Sequence, residues 1–508
     1  MSINAVVPDG SSVSNVGQQG VRSRAAQIFK GALQLRRCFK MSHLGKYSSE
    51  RVKKLNSYCQ NTPLLRVILV EVLIPWPALL LELVAECIPL QNPTDGWKRN
   101  YGAWCRLWLV IAATSAGSLF EVRASTPELT YAKIVGITMG TACGSTSMMI
   151  LVASVWMYPI PFSIFLSGIL GAPFLVGLFI ISIKMDERNI NSKLDNKLNQ
   201  KMLLVVAQLI PAAVYLTFSV VFTRSTPHLR FGLLLLLPTI KLILKRMIAR
   251  LASNDKESIP AVVVFSVDVF DGLYTSICMQ SSDSWATALF IIGMSFFYTM
   301  SCVLEINRAA RALHSLGTTN ILLPWRKQLS SRISLAGSAR CRTVTRNANC
   351  QVHVQTTPPE QSIEVPRSVN TSYSAQPASV SEIKASKLLF YLEYQVLSAY
   401  IKGAIPLVYA TYLMILVNLP SAQFYPHARD LTPSQLQTTV GSIVAYAIVE
   451  FLSFAWLQIV VERKLGFSLL YQLAFVLETE MELIQGRLFV WIIILLQFSL
   501  VHFGTLIL

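Results

Sequence analysis

Long apolar stretches recur along the chain, and about eleven of them have the length that crosses a bilayer as a helix. They cover residues 64–88, 103–120, 134–157, 162–183, 202–222, 231–244, 259–279, 285–304, 397–418, 437–461 and 488–508. Because hydrocarbon offers no partner to backbone N–H and C=O groups, such a chain must satisfy them within helices. The pattern therefore predicts an all-α fold, a polytopic transmembrane bundle of about eleven spans.

Polar residues change the interpretation of two of these stretches. Pro75 and Pro77 interrupt residues 64–88 near the middle, and the sequence leaves open whether this stretch spans the membrane or re-enters it. The stretch 231–244 is short, and long basic side chains near its end would extend to the cytosolic headgroups and lengthen it. These side chains are Lys241, Lys245, Arg246 and Arg250.

Loop composition divides the chain into four parts. We expect residues 1–63 to form a basic cytosolic tail with an amphipathic helix at residues 21–41, and residues 64–304 to form a membrane block of about eight spans. Residues 305–390 are rich in Ser, Thr, Pro and Arg, which predicts a mostly disordered basic cytosolic linker. A second membrane block of about three spans covers residues 391–508. Since basic loops favour the cytosolic side, we expect a cytosolic N-terminus.

Composition and charge narrow the partners. The chain has 508 residues, of which 53% are hydrophobic and 14% charged, with a net charge of +17. We expect the positive charge to lie in loops that contact anionic lipids, and aromatic and basic residues do not alternate as in a nucleic-acid surface. The predicted partners are therefore the lipid bilayer and its anionic lipids, without nucleic acid, and no protein partner is indicated.

The basic N-terminal tail also bears on localisation. Residues 1–63 contain only two acids, Asp9 and Glu50, so a mitochondrial presequence is a minority alternative, while no apolar signal sequence follows Met1. We expect an integral multi-pass protein of the plasma membrane or an endomembrane rather than the mitochondrion.

Motifs for soluble enzymes and cofactors are missing from the sequence. Nine cysteines are scattered without a CxxC pair, so no metal site is predicted, and no GxxxxGK[ST], GxSxG or HExxH motif occurs. We predict no cofactor and favour a protein without enzymatic activity.

Three acids lie inside predicted spans. Asp268 and Asp271 are three residues apart, on one helical face, and Glu450 lies in the middle of its span. A carboxylate in a membrane is costly unless it pairs, binds a cation or is protonated, so these residues form a candidate intramembrane polar site. The alternative is a structural role in hydrogen bonding between helices.

Glycines form a second pattern. Gly136, Gly140 and Gly144 make a GxxxGxxxG stripe, which allows close approach of another helix, in this chain or in a second copy.

Several short segments carry a family resemblance. They are Glu50-Arg51, Ser57-Tyr58-Cys59, Pro75, Glu86-Cys87-Ile88-Pro89-Leu90, Gly96-Trp97, Asn100-Tyr101, Pro159-Ile160-Pro161-Phe162, Leu237-Pro238-Thr239-Ile240-Lys241 and Phe265-Ser266-Val267-Asp268. With these segments, most of the membrane portion resembles a large family of uncharacterised multi-pass membrane proteins of oomycetes. The resemblance implies no activity.

Function is therefore a choice between classes. We expect transport or permeation of an ion or small solute through Asp268, Asp271 and Glu450. The alternative is a non-enzymatic membrane scaffold or receptor-like protein, with a lipid-modifying enzyme third. Transport predicts that the three acids converge on one cavity, whereas a scaffold predicts acids neutralised in pairs within dry packing.

Overall fold

The computed structural model describes residues 45–124, 129–184, 209–252, 257–280, 285–314, 380–429 and 431–503. Every regular element among them is helical. The long helices are α1 (Ser49–Asn61), α2 (Leu64–Leu73), α3 (Trp76–Glu86), α4 (Tyr101–Arg123), α5 (Tyr131–Val155), α6 (Ser163–Lys184), α7 (Leu209–Arg224), α8 (Pro227–Leu251), α9 (Ile259–Gln280), α10 (Trp285–His314), α11 (Val380–Leu416), α12 (Pro433–Leu465), α13 (Leu469–Thr479) and α14 (Met481–Gln497). Short helical turns lie at Pro93–Asp95, Pro420–Phe424, Pro426–Arg429 and Val501–Phe503.

The all-helical class predicted from hydropathy is confirmed. Within the described residues, eight helical segments are long and apolar enough to cross a membrane. The protein is thus a multi-pass membrane protein, while the eleven spans and the cytosolic N-terminus stay predictions. The predicted helix at residues 21–41 and linker residues 315–379 lie outside the described ranges.

Local sequence explains where several helices begin and end. Pro75 separates α2 from α3, because proline cannot donate the backbone hydrogen bond that would continue the first helix. Thr432 caps α12 through a reciprocal capping box with Gln435. Gly466 ends the same helix with a φ of 68°, a left-handed conformation that glycine adopts without steric cost.

Three boundaries differ from the expected ones. Helix α10 continues to His314 and α11 starts at Val380, so both ends of the predicted linker 305–390 are helical. Between the predicted spans 437–461 and 488–508 lies α13, which packs against α1, α2 and α11. Its 11 residues, most of them apolar, are too few to span a bilayer, and a short apolar stretch of this kind is typical of a buried helix.

Helix α9 is the centre of the bundle. In its apolar window 89% of the residues are buried, the largest share among the eight segments. It packs against α7, α8, α11, α12 and α14. By contrast, only 22% of the corresponding window in α6 is buried among the described residues, so α6 lies at the periphery of the described bundle.

Candidate functional site

Asp268 and Asp271 lie on the face of α9 that packs against α8. Lys241 Nζ lies 2.8 Å from Asp268 Oδ1 and 2.5 Å from Asp271 Oδ2. Lys245 Nζ lies 2.7 Å from Asp268 Oδ1, so Asp268 is the counter-ion of two lysines. The lysines are one helical turn apart on α8, which matches the spacing of the aspartates on α9.

This pairing corrects the expectation for Lys241 and Lys245. Their side chains do not extend to the headgroups but turn inward to the α9 carboxylates. Electrostatics explains the difference. Burying two aspartates without counter-ions inside the bundle would cost more free energy than moving a lysine from the headgroup region into the bundle. Lys245 Nζ also donates to the Tyr394 hydroxyl of α11, at 2.5 Å.

A cavity of about 420 Å³ opens beside these ion pairs. Helices α8, α9, α10 and α11 form its walls, with Tyr446 of α12. Its size is within the range typical of small-molecule sites. About half of the lining side chains are apolar or aromatic, and the charged ones are Lys241, Lys245, Arg246, Asp271, Glu305 and Lys402.

Lys402 reaches the same cavity from α11. Its Nζ lies 3.3 Å from Ser295 Oγ and 4.3 Å from the centre of the Tyr298 ring, both on α10. A cation above an aromatic face is attracted by the electron density of the ring. Lys402 is therefore positioned by neutral groups, unlike the two lysines of α8.

Glu450 is placed apart from the two aspartates. Its side chain is 2% exposed on α12 and lines a space of about 10 Å³, roughly one water molecule, together with Lys402 and Gln395. Its Oε1 is buried without a hydrogen-bond partner. The structure therefore does not bring the three acids into contact, but Lys402 borders both spaces.

The sequence analysis missed a second buried polar cluster, around Glu86 of α3. Arg106 NH1 lies 3.1 Å from Glu86 Oε2, and the Tyr425 hydroxyl donates to Glu86 Oε1 at 2.5 Å. Gln497 Nε2 bridges Glu86 and Glu82, at 3.0 and 2.9 Å. Burial, reinforced by the charge of Glu86, raises the pKa of Tyr425 well above its ordinary value, so the phenol stays a donor. In the sequence, this cluster is indicated only by the carboxyl groups of Glu82 and Glu86, which lie one helical turn apart in an apolar stretch.

A third polar contact joins α4 to α14. Arg487 pairs with Glu121, and its NH1 donates to the Val262 carbonyl of α9 at 2.6 Å. Beside it the backbones of Gly117 and Gly486 touch, because a Cβ on Gly117 would lie only 2.5 Å from the Gly486 oxygen. Neither glycine belongs to a GxxxG motif, so spacing could not reveal this crossing.

Part of the predicted glycine stripe of α5 lies at the contact with α6. A Cβ on Gly140 would lie 2.6 Å from Leu178 Cδ1, and one on Gly144 would lie 2.6 Å from Phe174 Cδ1. Gly136 has no atom within 4 Å of its Cβ position. Two of the three glycines therefore accommodate side chains of α6.

Near the start of the described chain, Arg51 ties α1 to the bundle. Its NH2 lies 3.0 Å from Glu393 Oε1 and its NH1 lies 3.3 Å from Glu480 Oε1. Burial would lower the pKa of Arg51, but the carboxylates of Glu393 and Glu480 reverse the effect and raise it. Arg51 is therefore a permanent positive link between α1, α11 and the α13–α14 connection.

Comparison with known proteins identifies no family model that matches the chain, and no similar curated protein or solved structure. Within the described residues no three His, Cys, Asp or Glu side chains are grouped to hold a metal ion. Function must therefore be inferred from the cavity and its charges.

Proposed function

We propose that this protein binds a small solute in the α8–α11 cavity and carries it through the membrane. The observation that supports transport best is a ligand-sized cavity with charged walls inside a bundle of membrane helices. Charged side chains within such bundles are costly and commonly mark the path of an ion or solute.

In this proposal the acids have different roles. Asp271 is on the cavity wall and shares Lys241 with Asp268, so a proton or cation that reaches Asp271 weakens its hold on Lys241. Asp268 holds the two lysines in place as their shared counter-ion. Glu450 is the candidate proton carrier, because it is buried in the middle of α12 and its Oε1 has no hydrogen-bond partner among the described residues.

The second candidate is a non-enzymatic scaffold or receptor-like protein. It is supported by the buried ion pairs Glu121–Arg487 and Glu86–Arg106, which join helices away from the cavity. Such pairs are consistent with a rigid membrane framework.

We also propose that the protein is related to the oomycete family that it resembles. We propose that it is located in the plasma membrane or an endomembrane.

The test uses neutral isosteres in reconstituted vesicles. Asp271→Asn and Glu450→Gln keep side-chain volume and much of the hydrogen bonding but cannot ionise. We expect at least one of them to fold normally and lose a pH- or cation-dependent flux of the parent protein. Asp268→Asn should also lose flux but fold less well, because it leaves two lysines with too few counter-ions.

The control is Glu50→Gln, since Glu50 is 76% exposed on α1 and should not affect flux. If the parent protein shows no flux of protons, inorganic ions or small metabolites, or if all variants retain it, the scaffold interpretation replaces transport.

A further inference from the structure

Lys402 differs from the other two lysines of the cavity. Lys241 and Lys245 are within 3 Å of aspartate oxygens, whereas Lys402 has no carboxylate oxygen within 4 Å among the described residues. Its contacts are the neutral Ser295 hydroxyl and the Tyr298 ring. A half-buried ammonium group with only neutral contacts can accept an anionic ligand without losing an existing ion pair.

The cavity walls favour a partner with an apolar body. Beyond its charged groups, α10 contributes Phe290, Ile291 and Met294 to the lining. Burial of hydrocarbon against such side chains is favourable in proportion to the apolar area removed from water. The cavity thus combines the positive charge of Lys402 with an apolar wall.

Part of the cavity rim is apolar and exposed at the surface of the described bundle. Helix α8 packs against α7 and α9, and α10 packs against α11 and α12, but α8 and α10 make at most a minor contact with each other in the described residues. The lining residues Met294 and Phe297 of α10 are 37% and 40% exposed, so they form an apolar rim. A ligand dissolved in the membrane could reach Lys402 between α8 and α10 without crossing water.

We propose that the cavity binds a single-chain anionic amphiphile, whose carboxylate contacts Lys402 and whose chain lies along α10. The inference rests on the proposed solute-binding cavity and names its ligand class. The volume of about 420 Å³ suits one such molecule rather than a two-chain phospholipid. The carboxylate would accept hydrogen bonds from Lys402 Nζ and the Ser295 hydroxyl, which are already 3.3 Å apart.

Other charges near Lys402 act on the same ligand. Glu450 attracts Lys402 across the adjoining small space and would repel a carboxylate. Removing that negative charge should strengthen anion binding, whereas removing the charge of Lys402 should weaken it. Asp271 and Glu305 also line the cavity, but Asp271 is neutralised by Lys241 and Glu305 accepts a hydrogen bond from Tyr391.

The experiment is photolabelling of the purified full chain in phosphatidylcholine vesicles with a diazirine analogue of dodecanoate. We expect labels on α8 or α10 that unlabelled dodecanoate displaces. Lys402→Gln should reduce this labelling about tenfold or more, Lys402→Arg should retain most of it, and Glu450→Gln should increase it. Lys54→Gln is the matched control, because Lys54 is 65% exposed on α1, pairs with Glu50 and does not line the cavity.

The outcomes separate the ligand from the transport proposal. If neither Lys402→Gln nor Lys402→Arg changes the labelling, the proposed role of Lys402 is wrong. If a dodecylamine analogue labels the protein equally well, the site is not selective for anions. If acetate competes as well as dodecanoate, the site takes a free carboxylate rather than a membrane amphiphile. Labelling that depends on Lys402 without any flux supports the amphiphile site and refutes transport. Flux without such labelling supports transport and refutes the amphiphile site.

Discussion

The crossing of α4 and α14 gives a stability prediction that depends on backbone contact. A Cβ on Gly486 would collide with the Gly117 carbonyl oxygen, and one on Gly117 would lie 2.5 Å from the Gly486 oxygen. Both obstacles are backbone atoms, which cannot rotate away as a side chain can. Gly486→Ala must therefore push the helices apart by about 1 Å to restore ordinary contact distances.

The expected loss is the difference between two effects. Overpacking of a tight interface costs about 1–3 kcal/mol, and the better helix propensity of alanine returns up to about 1 kcal/mol. Separation of the helices also stretches the neighbouring Glu121–Arg487 pair, so the net loss should be near the upper part of that range. Gly136→Ala is the matched control, because no atom lies within 4 Å of its Cβ position.

The assay is unfolding of purified protein in detergent, measured for the parent chain and three variants. We expect Gly486→Ala to be clearly less stable than the parent and Gly136→Ala to be equal or slightly more stable. Gly140→Ala should fall between them, since the obstacle there is Leu178 Cδ1, the flexible end of a side chain. Equal stability of Gly486→Ala and Gly136→Ala would refute the argument from backbone contact.

Two further predictions concern a buried ion pair and orientation. Arg487→Met should destabilise the protein by about 3 kcal/mol, since it leaves Glu121 buried alone, and adding Glu121→Leu should restore most of the loss in the same assay. A single cysteine at Ser372, in a cysteine-free background, should not react with an impermeant reagent added outside intact cells, and reaction would reverse the predicted orientation.

Hydropathy predicts the helices well because the physical rule is local. Any apolar stretch of about 20 residues must close its own backbone hydrogen bonds in hydrocarbon, whatever its neighbours are. The rule is weaker where polar residues interrupt a helix, as at Pro75 between α2 and α3. It also fails for α13, whose 11 residues are too few to span a bilayer and which packs against other helices.

The candidate site could be predicted only in part, because pairing between helices depends on their rotation and order in the bundle. The sequence identifies Asp268 and Asp271 by their charge inside an apolar stretch. The spacing of residues along the sequence does not show that Lys241 contacts these aspartates rather than the lipid headgroups. The two lysines of α8 and the two aspartates of α9 have matching spacings, but this match indicates ion pairs only when the two helices are known to pack against each other. Lys402 was missed because a lysine near the start of the predicted span 397–418 resembles a snorkelling residue.

The most direct test of the central claim is a block of the cavity itself. Ser295 lines the cavity beside Lys402, so a cysteine at this position in a cysteine-free background should react with a small methanethiosulfonate reagent. Ser434, exposed near the start of α12, is the matched control position. In reconstituted vesicles we predict that modification at position 295 abolishes the flux of the parent protein and that modification at position 434 leaves it unchanged. Full flux after complete modification at position 295 would contradict the claim that the solute passes through this cavity.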